Sequence, residues 1–283
     1  MKGDLAYAEH TAVTRPGRWA ALVRDLPRAV EELVPLVRSV LVHHTRVPGF
    51  TAGSDRCDDG TELRPVQAVL DAVAALDPAP WTLPRPSRRQ LVVDCRSSAV
   101  LLCSVLREHG VPARVRFGFA SYLDLERWQS HVVCEHHDTH GRWTRTDPDV
   151  GRFALGPGEF LDATQAWRSA PAHQDLPRYG YAPDLRGRWA VRWELLRDLA
   201  ALTGFEALTS DVWGLNATAD PGSPDAGHSA LLDAVATATT RGRRMQLAGL
   251  PVLAVPRVIT AAPYLTGRRH QVDLITEGSL DPA

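Results

Sequence analysis

Long apolar runs, a cysteine framework and a charge excess of either sign are all missing from this chain, and each absence removes a class of function. Of its 283 residues 44% are hydrophobic, yet no apolar run approaches the length of a membrane-spanning helix. The net charge of −1 gives no global electrostatic case for nucleic acid. Lysine is nearly absent, and the arginine excess beside abundant Ala, Val and Pro reflects base composition more than binding. The four cysteines, Cys57, Cys95, Cys103 and Cys134, do not suggest a disulfide framework. The first ten residues lack the apolar core and cleavage pattern of a signal peptide, so a soluble protein of the reducing cytoplasm is expected. No EF-hand loop occurs. Outside residues 131–140 no second ligand pair with CxxC or HxxxH spacing exists, and no cofactor is expected.

What is present is a run of helical and strand patterns. Residues 16–48 have helical periodicity broken by Pro27 and Pro35, a polar loop follows at 54–62, and a helix is expected at 65–76. The Pro-rich stretch 79–89 reads as an extended connector. Asp94 is a good N-cap and Gly110 a good stop for a helix whose apolar positions Ala99, Leu102, Cys103, Val105 and Leu106 recur at three- and four-residue steps. Residues 111–120 alternate Val115, Phe117 and Phe119 with Arg114, Arg116 and Gly118, as a half-exposed strand would. Residues 131–137 and 142–147 read as a hairpin around Asp138-Thr139-His140-Gly141. Helices are expected at 158–174, 188–203 and 228–240, with a linker at 216–227. The prolines of 250–260 argue against a central strand there.

Three short stretches carry the chemistry: Asp94-Cys95-Arg96, Ser130-His131-Val132 and Thr146-Asp147-Pro148. Cys95 opens a capped helix, where unpaired N–H groups, the positive dipole end and Arg96 favour a thiolate. A three-residue loop such as 138–140 sets His131 opposite Asp147 on one side of the sheet, whereas a two-residue loop pairs Asp147 with Val132. A histidine held by a carboxylate and facing a thiol is the constellation of nucleophilic acyl transfer. Gln90 is a candidate oxyanion donor, Trp128 and Gln129 are candidates for the cleft mouth, and the segment 122–129 is the expected substrate rim. A competing cluster, His131, Cys134, His136, His137 and His140, would need the strand to bend to hold one metal ion, since alternation sends His131 to the other face.

The stretch from Cys95 to Ala120, with its LeuLeuCysSerValLeuArg and ValProAlaArgValArgPheGlyPheAla segments, resembles the core of the transglutaminase-like superfamily. HisValValCysGlu and ArgTrpThrArgThrAsp are similar to the family's His and Asp segments, and residues 188–202 and 211–214 resemble the following segment of actinobacterial members. The likeness extends over about residues 16–215. It implies a papain/transglutaminase-like α+β fold in which a catalytic helix packs on an antiparallel sheet, with additional helices at both ends. It further implies a Cys95/His131/Asp147 triad working through a covalent thioester. On this reading residues 1–215 form the domain, comprising a helical part at 16–78, a catalytic core at 90–150 and a helical part at 158–215, and 216–283 are a linker and C-terminal extension.

The expected activity is cysteine-dependent acyl transfer, or hydrolysis of an amide or thioester, including amide formation in bacterial secondary metabolism. The substrate would be a small-molecule, peptide or carrier-protein-bound acyl group, with neither nucleic acid nor membrane as partner. Two other classes stay open: a non-catalytic binding or scaffold protein on the same fold, and a cyclase or lyase that uses the pocket without a thioester. Val93-Asp94 stands where the family pattern has Gly-Asn, and a carboxylate beside the nucleophile raises a thiol's pKa. Val132 replaces an aromatic after His131, Gln129 replaces an acidic residue, and Pro148-Asp149 offers a second carboxylate, Asp149, as partner for His131.

Overall fold

The computed structural model describes residues 5–50, 59–83, 85–169, 178–182, 185–217, 227–263 and 267–281. Cys57, most of the expected 54–62 loop and most of the 216–227 linker lie outside the described residues. The chain opens with helices α1 (Ala20–Arg24) and α2 (Val30–Val40), strand β1 (Leu41–His43) and helix α3 (Val66–Leu76). Pro35 does not break α2 as its sequence position suggests. It sits on the exposed side, while Leu33, Val34, Val37 and Val40 anchor the opposite side in the core.

Strand β2 (Leu91–Val93) pairs in parallel with β1 and delivers the chain to α4 (Cys95–Glu108). The Asp94 side chain accepts from the Ser97 N–H at 3.1 Å, and this cap fixes the first turn. The apolar stripe read from the sequence is present, but the helix is buried on every side from Cys95 to Arg107. Its four leucines and valines nearest the centre, Leu101, Leu102, Val105 and Leu106, are essentially inaccessible, each contributing roughly 1.5–3 kcal/mol by burial.

Strands β3 (Ala113–Ala120), β4 (Trp128–His137), β5 (Trp143–Thr146), β6 (Phe160–Asp162), β7 (Tyr179–Ala182) and β8 (Leu185–Arg186) form the main sheet in the order β6-β3-β4-β7-β8, with β5 also paired to β4. All pairings are antiparallel except β4 with β7. This is the expected α+β arrangement, with α4 packed on an antiparallel sheet. Gly118 lies opposite His131, and a Cβ there would come within 2.2 Å of the Leu161 carbonyl oxygen, so only glycine lets β6 close against β3.

The β4–β5 hairpin corrects the expected register. Cys134 pairs with Thr146 and His137 with Trp143, so the loop is 139–141 and Asp147 would align with Val133. Gly141 (φ +72°) takes the left-handed position that closes a three-residue loop, and the Asp138 carboxylate accepts from the N–H groups of His140 and Arg142. The shift is two residues, an even number, so His131 and Asp147 remain on one side of the sheet.

The half-exposed strand expected at 111–120 is instead buried on both sides. Arg114, Arg116 and Arg145 converge on Glu135 at 2.6, 3.0 and 2.8 Å. Arg116 also grips Asp198, and Arg145 grips Asp162 at 2.6 Å. The helix expected at 158–174 divides into β6 and the short α5 (Ala163–Arg168), which Asp162 and Gln165 close with a capping box, and 170–174 lie outside the described residues. Helix α6 (Arg188–Thr203) runs as expected.

Strand β9 (Asp211–Val212) and helices α7 (Gly214–Ala217), α8 (Ser229–Thr237) and α9 (Arg241–Ala248) precede β10 (Val258–Ala261) and β11 (His270–Asp273). β10 is the middle strand of the sheet β11-β10-β9, and it starts beyond Pro256, which removes the objection from proline. Ile259 and Leu274 are buried in the same core as α4, so the residues expected as an extension pack into the body that carries the site. No helix among the described residues is long and apolar enough to cross a membrane.

Candidate active site

Cys95 is the first residue of α4, His131 lies on β4 and Asp147 follows β5 directly. His131 Nε2 is 2.7 Å from Asp147 Oδ2. The His131 ring also hydrogen-bonds the Cys95 thiol, which leaves Nδ1 for the sulfur. The second-residue diagonal set by the hairpin register is what the imidazole spans. Asp147 is fully buried and fully satisfied: Oδ2 also accepts from the Tyr122 hydroxyl at 2.6 Å, and Oδ1 accepts from the backbone N–H groups of Asp149 (2.9 Å) and Val150 (3.3 Å).

The electrostatics follow from burial and these contacts. Burial opposes a charge on Asp147, but His131, the Tyr122 hydroxyl and the Val150 N–H outweigh it and hold the carboxyl below its ordinary range. Burial likewise opposes the imidazolium, and the Asp147 carboxylate and Cys95 sulfur reverse that, raising the His131 pKa well above its usual value. The sequence reading of Cys95 as a depressed thiol is corrected. Burial dominates and pushes its pKa up, opposed by His131, with Asp94 and Asp149 adding to the rise. His131, which opposes burial at Cys95, is the neighbouring group able to take the thiol proton.

Several other sequence candidates take different places. Gln90 spends its amide N–H groups on the carbonyls of Arg38 (2.8 Å) and Ser39 (3.2 Å) and is no oxyanion donor. Arg96 points into the interior, donating to the carbonyls of Glu206 and Arg64. It follows Cys95 by one residue, a spacing that does not face the same way on a helix. Trp128 stacks on Tyr179 with ring centroids 6.1 Å apart. Gln129 donates to the Tyr181 carbonyl at 2.8 Å, and Tyr181 lines the cavity, so Gln129 supports a wall. Asp149 is ion-paired to Arg46, which leaves Asp147 as the carboxylate on His131. Asp94 accepts from Thr209 Oγ1 at 2.9 Å besides capping α4.

The residues of the five-member His/Cys cluster scatter. His136 bonds Thr146 and the His137 carbonyl, and Cys134 lies against Cys103. Among the described residues no group of three or more His, Cys, Asp or Glu is placed to hold a metal ion.

A cavity of about 460 Å³ opens beside Cys95 and His131. One wall is α6, which presents Trp189, Ala190, Trp193, Glu194 and Arg197, spaced at three and four residues. The facing wall comes from 209–217 and from Ala262 and Arg269. Sequence reading missed this stripe. The helix is buried nearly all round, so its pattern has no apolar side to announce which side faces a site. The i, i+4, i+8 series Trp189, Trp193, Arg197 was the available signal.

Cys95 opens α4, whose first-turn N–H groups have no intrahelical acceptor, and the one on Ser97 is taken by the Asp94 carboxylate. Cys95, His131, Asp147 and a cavity of ligand size thus meet at one place.

Residues 77–148 match the family model of the transglutaminase-like superfamily. No curated protein matches the chain. A solved structure, a "Putative Cysteine Protease" from Cytophaga hutchinsonii, is similar at 15% identity and a TM-score of 0.35, covering 59% of this chain and 50% of that one. The chain thus spans about half of that protein's length. The segment that contains Cys95, His131 and Asp147 thus lies inside the stretch that is similar to the transglutaminase-like superfamily.

Proposed function

We propose that the protein is a cysteine-dependent acyltransferase or hydrolase that works through a thioester on Cys95. The observation that carries this reading is the continuous contact from the Cys95 thiol through His131 to Asp147, with Nε2 and Oδ2 2.7 Å apart. In the neutral ring Nε2–H donates to Asp147 and Nδ1 accepts the thiol proton. The sulfur attacks the carbonyl of a thioester or amide, and the imidazolium gives its proton to the departing thiol or amine. An amine or water then attacks the acyl-enzyme, His131 takes the proton of that nucleophile, and the Cys95 thiolate leaves and is reprotonated. The tail of such a donor fits the adjoining cavity, and amide formation in bacterial secondary metabolism, within the cytoplasm, is the setting this chemistry suits. Residues 1–215 supply Cys95, His131 and Asp147 and are proposed as the catalytic domain, with Asn216, Ala217, Ala262 and Arg269 completing the cavity beside it.

The test is intact-protein mass after mixing with a panel of acyl donors that includes carrier-protein thioesters, with and without a primary amine. A single acyl adduct mapping to Cys95, and amide formed faster with amine than free acid without it, is the expected result for acyl transfer. Free acid at equal rate in both arms would make the protein a hydrolase. No Cys95 adduct from any donor, with the protein folded, would remove the covalent mechanism.

A further inference from the structure

Three residues that line the cavity beside Cys95 each carry a buried polar atom with nothing to bond. They are Arg197 (Nε), Trp189 (Nε1) and Asn216 (Oδ1). Arg197 and Asn216 are themselves almost completely buried. An unpaired buried polar group is costly, so three around one cavity mark a place where a ligand can supply missing partners. Two of the three are N–H donors, and they ask for an acceptor.

The charges decide which acceptor. Arg197 donates through Nη2 to the Thr209 and Asp211 carbonyls, and its ion pair with Glu194 is loose at 3.5 Å. Burial pushes Glu194 up to about 7, against Arg197 and a hydrogen bond from Ser130, while Asp198 behind it adds to the rise. Near neutral pH Glu194 therefore cancels only part of the Arg197 charge. Asp94 and Asp211 reach Arg197 electrostatically, but Asp211 is taken up by Arg64 at 2.6 Å and Asp94 by its cap and Thr209. His131, paired with Asp147, Tyr181 and Arg269 are the remaining ionisable lining groups besides Cys95. The apolar part of the lining comes from Trp189 and Trp193, 4.7 Å apart between ring centroids, and from Val132, Val212 and Ala262.

We infer that this cavity is the acyl pocket of the Cys95 site and selects an acyl group ending in a carboxylate, which Arg197 Nε and Trp189 Nε1 bind while the apolar walls hold the chain between. The inference rests on the covalent reading above only for the placement of the reacting carbonyl. Asn216 Oδ1 takes a donor of the substrate, an N–H or O–H near that carboxylate.

The test uses three N-acetylcysteamine thioesters of one chain length: adipoyl, its terminal amide adipamoyl, and the isosteric 6-methylheptanoyl. The readout is the rate of Cys95 acylation by intact mass. Each acylation forms the Cys95 thioester and releases N-acetylcysteamine with the proton carried by His131. Adipoyl transfer is expected to exceed both others by about tenfold or more, the size of one charge-assisted hydrogen bond. Arg197→Gln should abolish that preference. Because Arg197→Gln is buried and can unfold the protein, a second reading uses Glu194. The ratio of adipoyl to adipamoyl rates should fall as pH rises through about 7 in the wild type, since ionised Glu194 neutralises Arg197. In Glu194→Gln the ratio should stay high at pH 8. Effects of Cys95 and His131 titration cancel in the ratio. An adipoyl rate no higher than the other two in the wild type, or a ratio that ignores pH, overturns the inference. If no donor acylates Cys95, the covalent reading fails by itself. Equilibrium binding of adipate against adipamide to the wild-type protein then decides the pocket: adipate-selective binding upholds the inference, and equal or absent binding overturns it.

Discussion

Two polar clusters share helix α6, one through Asp198 and the other through Glu194 and Arg197, and they are finished to different degrees. Around Glu135 three arginines meet three carboxylates, Glu135, Asp162 and Asp198, and no buried side-chain N or O among them lacks a partner. Beside Cys95, Arg197, Trp189 and Asn216 each keep a buried atom unbonded, and Glu194 sits near its point of half-ionisation. The first cluster is balanced in charge and closed, the condition under which buried ions are tolerated. The second is open, and its deficit lies in a cavity of ligand size. Perturbed ionisation occurs in both, so it does not by itself distinguish a structural network from a site. Unsatisfied capacity does.

The largest break in this comparison is at the nucleophile. Cys95→Ala should reduce turnover below about one-thousandth of the wild type, and His131→Ala nearly as far, with thermal unfolding little changed. Retained turnover in Cys95→Ala would end the covalent mechanism.

Next is the orienting carboxylate. Asp147→Asn should lower kcat about 10³- to 10⁴-fold while leaving a measurable rate, because the ring loses its tautomer and its counter-charge. Asp149→Asn should cost far less, since Asp149 faces Arg46. The reverse order of the two variants would reassign the partner of His131.

The closed cluster should fail in stability instead of rate. Glu135→Gln leaves Arg114, Arg116 and Arg145 short of one buried counter-charge and should cost about 3–5 kcal/mol in urea unfolding. Burial opposes the Glu135 charge, but the three arginines hold its pKa well below the ordinary carboxylate range. Its contribution is therefore present above about pH 4.3 and is lost as pH falls below that value. A Glu135→Gln protein as stable as wild type at pH 7 would remove the network from the account of the fold.

The open cluster has the opposite slope and a smaller size. The Glu194 pKa, pushed up to about 7, means that the unfolded chain releases this proton first, so wild-type stability declines as pH rises from about 4.5 to 7. Glu194→Gln should remove that decline, making the variant about 1–3 kcal/mol more stable relative to wild type at pH 8 than at pH 4.5. Parallel pH profiles for the two proteins would contradict it. Smallest of all is Gln90→Ala, whose acylation rate should stay within about a factor of two of wild type, surface substitutions away from a site being nearly neutral.

The sequence made the three reacting residues readable because each stands at a marked end of an element. Asp94 caps the helix that Cys95 opens, and the turn at Asp138–Gly141 fixes the parity of His131 and Asp147 even where the loop was placed one residue early. Parity is robust because strand side chains repeat every two residues. Readings that relied on closeness along the chain failed. Gln90 is five residues from Cys95, but strand β2 intervenes at about 3.3 Å per residue and carries it roughly 15 Å away. Arg96 is adjacent in sequence yet turned about 100° around the helix. The paired charges of β3 were taken for a wet surface because the acids that bury them, Glu135, Asp162 and Asp198, lie on three other elements. The α6 wall was hidden for the same reason, since it becomes a wall only when β9 and β10 are set across from it.

That last arrangement sets an order of events during synthesis. The nucleophile, its base and its carboxylate all emerge within the first 147 residues, whereas Ala262 and Arg269, which complete the facing wall of the cavity, emerge more than a hundred residues later. Chains fold from the N-terminus as they leave the ribosome. A nascent chain that already holds Cys95, His131 and Asp147 therefore still lacks the residues that complete the cavity beside them, the last part of the site to be supplied.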